Sequence, residues 1–119
     1  MSDEGTPTSQ GGNITRPPEL KFTDAGKPWC KFGLAVNPYV PKGQEPAETI
    51  FYEVVAFGSL ATNIAECLTK GMRIVVKGQG KLNKWTGQDG QERVTKEIVA
   101  EWCGPDLRFA SVTVEKNER

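Results

Sequence analysis

The sequence predicts an all-β fold, a small five-stranded Greek-key barrel with one helix between strands 3 and 4 and an appended C-terminal strand. A chain of 119 residues has room for one domain with a modest core. Several short segments are rich in β-branched and aromatic residues, and turns containing Gly or Pro separate them. Helical spacing occurs in one segment, around Leu60.

The two ends differ in composition from the middle. Residues 1–11 are mostly small, polar or acidic, so we predict a flexible N-terminal arm. The barrel is expected over residues 12–103, and residues 104–119 form a C-terminal extension with a short strand over Leu107–Glu115. The first residues resemble neither a secretory signal nor a transit peptide, and no apolar run is long enough to cross a bilayer, which favours a cytoplasmic protein.

Alternating polarity marks the first strands. Extended chain is expected on both sides of a turn at Asp24–Lys27. Trp29–Asn37 alternates along its length, with Cys30, Phe32, Leu34 and Val36 on one side, which is typical of a half-buried strand. Pro38–Glu48 contains three prolines and is predicted to be a long loop. Thr49–Phe57 is the third strand, and one of its two faces must enter the core.

The second half predicts a helix followed by a long hairpin. Ser59 can cap a helix that Gly71 ends, and its apolar face consists of Leu60, Ile64, Cys67 and Leu68. Met72–Leu82 and Glu92–Trp102 are the hairpin strands, with a tip at Asp89-Gly90. Gly78 and Gly80 lie within the first of them and indicate a bulge or a sharp coil at a corner of the barrel.

Charge and cysteine content restrict the function. The chain has no histidine, which argues against many acid–base enzymes, and its three cysteines lack metal-ligand spacing and are expected to be buried free thiols. Although the formal net charge is zero, the stretch from Lys70 to Lys96 holds seven basic and two acidic residues. This cluster is either a solvated strand face or a nucleic-acid contact.

Several short motifs, taken in order, resemble the bacterial single-stranded DNA-binding protein family, which has an oligonucleotide-binding (OB) barrel. The resemblance covers about Gly12 to Trp102. The motifs are Gly12-Asn13-Ile14-Thr15, Pro18-Glu19-Leu20, Phe32-Gly33-Leu34-Ala35-Val36, Val54-Val55-Ala56-Phe57-Gly58-Ser59-Leu60-Ala61, Lys70-Gly71, Lys77-Gly78, and Trp85 with Asp89-Gly90-Gln91. Gly104-Pro105-Asp106-Leu107-Arg108-Phe109-Ala110 also looks like an extension found in actinobacterial members.

The resemblance implies a DNA-binding site without catalysis and without a cofactor. Its expected base-stacking residues are Tyr39, Phe51, Phe57 and Trp85. Basic residues expected to contact phosphates are Lys31, Arg73, Lys77, Lys81, Lys84 and Arg93, with Arg16 and Lys21 as weaker candidates. Spacing alone places Phe51 and Phe57 on one strand face and leaves core packing open for both. Trp29 and Trp102 are assigned to the core or to a subunit interface.

Three features depart from the family pattern. The start of the chain lacks an apolar alternating strand used in pairing subunits, and Glu53 places a carboxylate between the two stacking phenylalanines. The chain also ends without an acidic tail, so no tail-mediated partner recruitment is expected, as would suit a phage or paralogous variant.

The function implied is sequence-independent binding and protection of single-stranded DNA in replication, repair and recombination. We expect a homo-oligomer, with a tetramer favoured over a dimer, in the cytoplasm and on the nucleoid. An OB-fold module for RNA binding or protein assembly is the alternative, motivated by Glu53 and the zero net charge. A hydrolase using a cysteine or carboxylates is the least favoured interpretation.

Overall fold

A computed structural model of the chain describes residues 5–37, 41–45 and 48–117, apart from the side chains of residues 83, 93 and 94. Five strands form a closed barrel in the order β1-β2-β3-β5-β4, and a helix connects β3 to β4. The elements are β1 (Thr6–Phe22), β2 (Pro28–Val36), β3 (Ile50–Phe57), α1 (Gly58–Cys67), β4 (Arg73–Thr86) and β5 (Glu92–Pro105). The predicted five-strand barrel with one helix between strands 3 and 4 is therefore confirmed.

The barrel closes through β1, which pairs with two neighbours along its length. Its first half lies antiparallel to β4, from Thr6 opposite Gly80 to Asn13 opposite Arg73. Its second half lies antiparallel to β2 and ends with Phe22 opposite Pro28. The register shifts on both sides of Arg16, next to two prolines that cannot donate ladder hydrogen bonds. These irregularities bend β1 between its two partners.

The pairing is irregular at Gly78, as predicted, but the extra residue belongs to β5. Lys77 lies opposite Trp102 and Gly78 lies opposite Ala100, so the register skips Glu101 of β5. A Cβ atom at Gly78 would overlap the carbonyl oxygen of Val99, so the two strand backbones approach closely at this corner. β3 and β5 pair in parallel, whereas the other neighbouring strands are antiparallel.

The core fills the barrel and extends under α1. Its largest fully buried side chains include Phe32, Ile14 and Leu34. From α1 and the residue after it, Ala61, Ile64 and Leu68 join the same cluster. No helix within the described ranges is long and apolar enough to cross a membrane.

The helix ends differ from the prediction. α1 begins at Gly58, which has φ = +70°, and Phe57 occupies the cap position in extended conformation without a side-chain cap. Ser59 is therefore not the cap. The helix ends at Cys67, and Gly71 lies beyond it with φ = +90°, donating its backbone N–H to the carbonyl of Ile14. This hydrogen bond ties the chain after the helix to β1.

Both predicted end segments need correction. Residues 6–11 belong to β1 and not to a flexible arm, because backbone pairing with β4 satisfies their hydrogen bonds despite their polar side chains. β5 extends beyond Trp102 to Pro105 by pairing with the start of β4. Over residues 107–117 the structure describes no strand, so the appended C-terminal strand is absent from this part of the chain.

The cysteines are not uniformly buried. Cys30 lies in the core and Cys103 is half-buried, whereas Cys67 is exposed at the end of α1. The helical face turns Ile64 and Leu68 inward but leaves Cys67 outside, so the predicted burial of all three thiols is wrong for Cys67.

Candidate nucleic-acid interface

The outer face of β3 carries two exposed aromatic rings. Phe51 is 64% exposed and Phe57 is 55% exposed, although β3 is paired with a neighbouring strand on both sides. Between them, Val54 and Ala56 point inward and are fully buried. The alternation of β3 therefore assigns the phenylalanines to solvent, and core packing is excluded for both rings.

β2 adds an aromatic ring and a cation beside Phe57. Trp29 lies opposite Phe57 and Lys31 lies opposite Val55 in the antiparallel register. These four residues line an open hollow of about 580 Å³ together with Lys81 of β4. The hollow thus combines two rings with two cations contributed by separate strands.

Two further hollows continue this surface. One of about 510 Å³ is lined by Phe51, Arg16 and Lys96 among others. Another of about 350 Å³ is lined by Arg16, Lys21, Trp29 and Lys31. The 350 Å³ hollow connects the other two. It shares Arg16 with the hollow around Phe51, and it shares Trp29 and Lys31 with the hollow around Phe57. We call this continuous surface the groove.

Trp85 lies at the end of the groove nearest the tip of the β4–β5 hairpin. Its ring is half exposed, and its indole Nε1–H donates a hydrogen bond to the hydroxyl of Thr95 at 3.0 Å. Thr95 in turn lines the hollow around Phe51. The hydrogen bond orients the ring while leaving part of it accessible.

The cations of the groove are held loosely. Arg16 Nη2 is 3.5 Å and Lys31 Nζ is 3.8 Å from the same carboxylate oxygen of Glu53. Lys81 Nζ is 4.0 Å from a carboxylate oxygen of Glu97. Ion pairs that are this long and partly solvated contribute about 0–1 kcal/mol, so these cations can exchange partners.

The predicted phosphate-contacting residues separate into two groups. Lys31 and Lys81 line the groove, and Lys84 is exposed next to Trp85 on the hairpin. Arg73 and Lys77 do not line any of its three hollows. The side chain of Arg93 and the stacking candidate Tyr39 fall outside the described residues.

Arg73 is engaged elsewhere. Its Nε–H donates to Asp106 Oδ2 at 2.9 Å, and Arg108 donates to the same oxygen at 2.7 Å. Hydrogen bonds from the side chain and backbone of Arg108, and then from Arg73, hold the pKa of Asp106 well below its usual value. The carboxylate of Asp106 is almost fully buried, so this charge-assisted cluster fixes Arg73 in place.

Lys77 belongs to a different surface, which we call the Trp102 patch and define as Val75, Lys77 and Trp102 around a hollow of about 480 Å³. Trp102 is 65% exposed, and Lys77 Nζ lies 4.5 Å from the centre of its ring. This patch and the groove share no lining residue.

Trp29 was assigned to the core or a subunit interface, because its neighbour in the sheet depends on the register between β2 and β3. Phe57 was identifiable from its own strand, but its neighbour across the sheet was not. Only the pairing of Trp29 with Phe57 shows that the two rings share the groove. Arg16 and Lys21, the weaker candidates, both line the groove, and so does Lys96, which was not singled out.

Two of the three thiols, those of Cys30 and Cys103, are unsuited to nucleophilic chemistry. Burial raises the pKa of Cys103 to about 12 and also raises the pKa of Cys30, so both groups stay protonated near neutral pH. Within the described ranges, no group of three or more His, Cys, Asp or Glu side chains could hold a metal ion.

Comparison with known proteins gives the family. Residues 11–109 match the single-strand binding protein family. The chain belongs to this family. It is 34% identical over 112 residues to a single-stranded DNA-binding protein of Paenarthrobacter aurescens and 36% identical over 112 residues to one of Corynebacterium glutamicum. Family membership confirms the prediction from the sequence motifs. It also agrees with the prediction that the chain is a binding protein and not an enzyme.

The family members differ in length. The two alignments cover 91% of this chain but 66% and 50% of the respective relatives. A small single-stranded DNA-binding protein from Streptomyces coelicolor has the same fold, with a TM-score of 0.79 and 30% sequence identity. That comparison covers 92% of this chain and 100% of the Streptomyces chain, so the two chains share the barrel over nearly their whole length.

Proposed function

We propose that this chain binds single-stranded DNA in the groove without sequence preference. The observation that carries the proposal is the pair of exposed rings, Phe51 and Phe57, on a strand face flanked by cations from neighbouring strands. Bases stack on such rings irrespective of their identity, and lysine and arginine side chains neutralise the phosphates. Binding of this kind protects unpaired DNA during replication, repair and recombination, and we place it in the cytoplasm, on the nucleoid.

The residues proposed for each role follow from their positions. Phe51, Phe57, Trp29 and Trp85 provide stacking surfaces, and Lys31, Lys81 and Lys84 contact phosphates. Glu53, which motivated the alternative functions, is paired with Arg16 and Lys31, so its charge is compensated within the groove. Both pairs are long and solvent-accessible, so the carboxylate can lower the affinity of the groove for DNA without closing the groove to it.

Titration with an oligomer of deoxythymidine tests the proposal. We expect the logarithm of affinity to fall linearly with the logarithm of salt concentration, by about 0.7 for each phosphate contacted. Tryptophan fluorescence should fall on binding, because Trp29 and Trp85 lie at the groove. The Trp102→Phe variant should show the same fall, because Trp102 lies outside the groove.

Two competitors serve as controls. A duplex of the same length should compete poorly, since its bases are not available for stacking, and a uridine oligomer distinguishes RNA from DNA binding. Affinity that is independent of salt, or quenching that disappears only with Trp102→Phe, would contradict the proposal.

We also propose that the protein is a homo-oligomer, with a tetramer favoured over a dimer. Support comes from large apolar side chains exposed outside the groove, at the Trp102 patch and after Pro105, namely Val75, Trp102, Leu107, Phe109, Val112 and Val114. An apolar surface of this kind is typical of subunit contacts. Sedimentation equilibrium measures the assembly mass, and a monomer at micromolar concentration would refute this part.

A further inference from the structure

We propose that Glu53 occupies the cations of the groove in place of phosphate, so that single-stranded DNA must displace this carboxylate in order to bind. The inference rests on the proposed function and identifies the residue that limits affinity at that site. Glu53 lies in the middle of the groove, between Phe51 and Phe57 on β3.

A single row of residues crosses all five strands at this point. Glu53 lies opposite Gly33 of β2 and beside Glu97 of β5. Beyond Gly33 the next residue is Arg16 of β1, and beyond Glu97 it is Lys81 of β4. The row is Arg16, Gly33, Glu53, Glu97 and Lys81. Two carboxylates therefore occupy its middle, and one cation stands at each end.

One oxygen of Glu53 serves two cations. Oε2 is 3.5 Å from Arg16 Nη2 and 3.8 Å from Lys31 Nζ, which come from β1 and β2 respectively. The side chain of Glu53 is 24% exposed, whereas those of Arg16 and Lys31 are 60% and 44% exposed. The anion thus lies beneath the cations, and a phosphate arriving from solvent meets the cations first.

Gly33 provides the path by which Arg16 reaches Glu53. A Cβ atom at Gly33 would overlap the hydroxyl of Thr15 and come within 2.9 Å of Arg16 Nε. The guanidinium therefore lies across the bare backbone of β2. This placement depends on the local fold, which holds Arg16 next to Glu53 without any ligand.

Two effects of Glu53 oppose DNA. The carboxylate competes with phosphate for Arg16 and Lys31, and together with Glu97 it repels the phosphate charge at short range. Because both ion pairs are long and solvated, phosphate can break them. The free energy that phosphate gains by contacting Arg16 or Lys31 is then partly offset by the loss of the ion pair with Glu53. Replacing Glu53 with a neutral isostere removes the competition and the repulsion together.

The test compares Glu53→Gln with Glu66→Gln. Glu66 is an exposed residue of α1 that lines none of the three hollows of the groove, and its substitution changes the net charge equally. In titrations with a deoxythymidine oligomer, we expect Glu53→Gln to bind about three- to tenfold more tightly and Glu66→Gln to stay within about twofold of the natural protein. The salt dependence of Glu53→Gln should steepen by about 0.7 to 1.4, since one or two cations become available.

A double-mutant cycle identifies the cation released. Arg16→Gln should weaken binding less in the natural background, where Glu53 already occupies Arg16, than in the Glu53→Gln background. Glu97→Gln frees Lys81 and tests the same competition at the other end of the row. If Glu53→Gln unfolds, Glu53→Asn is the second variant that removes the carboxylate. Thermal unfolding of each variant checks the fold.

The outcomes are distinguishable. If the natural protein fails to bind the oligomer, the proposed function is wrong. If it binds, and Glu53→Gln is no tighter than Glu66→Gln or has the same salt dependence, this inference alone is overturned. Weaker binding by folded Glu53→Gln would also overturn it, because the carboxylate would then be accepting hydrogen bonds from DNA.

Discussion

The groove and the Trp102 patch both place lysine beside an exposed aromatic ring, yet they differ in how their cations are used. In the groove, cations from several strands surround three hollows and hold carboxylates at 3.5 to 4.0 Å. In the Trp102 patch, Lys77 lies over the Trp102 ring at 4.5 Å, and the rest of the hollow is largely apolar or backbone. Both surfaces expose aromatic rings, but only the groove has a continuous series of cations whose ion pairs are weak enough to exchange. That difference is the reason for proposing nucleic-acid binding at the groove and protein contact at the patch.

Arg73 shows that the same difference exists within a single strand. It is a basic residue of the same strand as Lys81, but its guanidinium makes a 2.9 Å hydrogen bond to the buried carboxylate of Asp106. A charge-assisted bond of that length to a buried group is much harder to exchange than the 4.0 Å contact of Lys81. Basic residues in one strand therefore differ in availability according to the depth and distance of their partners.

The largest effect is expected from removing a stacking ring. Phe51→Ala and Phe57→Ala should each weaken binding of a deoxythymidine oligomer by about 1–3 kcal/mol, because each ring stacks on a base. The melting temperature should change little, since both rings are exposed. Titration and thermal unfolding measure the two effects.

Trp102→Ala is the matched control for the rings, because it also removes an exposed aromatic side chain. We expect its oligomer affinity to stay within about twofold of the natural value and its self-association to weaken. Equal losses of affinity at Phe57 and Trp102 would erase the distinction between the groove and the patch.

A smaller effect is expected from single cations. Lys31→Gln and Lys81→Gln should each lower affinity about twofold at moderate salt and reduce the salt dependence by less than the value of about 0.7 for a full phosphate contact, because Glu53 and Glu97 already hold these cations. Lys77→Gln removes the same charge from the patch and should leave that dependence unchanged. Titrations at several salt concentrations measure it, and equal changes in all three variants would indicate a nonspecific charge effect.

The smallest effect on DNA binding is expected at Asp106. Asp106→Asn should leave affinity unchanged but destabilise the fold above about pH 5, where the carboxylate is ionised and holds Arg108 and Arg73. Because the pKa of Asp106 is lower in the folded state, its stabilisation is lost as pH falls below the unfolded value near 3.8. The difference between the natural protein and the variant should therefore narrow on acidification.

Chemical denaturation at pH 7 and near pH 3 measures that difference. Arg108→Gln is the companion variant, because it removes the other half of the pair and should lose stability over the same pH range. A gap between the natural protein and Asp106→Asn that stays constant from pH 7 to pH 3 would contradict the assignment.

Much of the barrel could be predicted from local patterns. The alternation in β2 and β3, the helical spacing around Ile64 and the two glycines at the barrel corner, Gly78 and Gly80, are each visible in residues close together in the chain. The errors occur where stability comes from a distant partner. Residues 6–11 have no strand-like side-chain pattern, and only their pairing with β4 makes them part of β1.

The site divides in the same way. Strand periodicity and composition are local properties, so they suffice to place Phe51 and Phe57 on one face and to show the basic residues in the second half of the chain. The position of Trp29 beside Phe57, the pairing of Glu53 and the hydrogen bond from Arg73 to Asp106 arise from contacts between distant parts of the chain. Register and charge pairing depend on residues brought together by barrel closure, and neither the spacing nor the composition of a single chain contains that information.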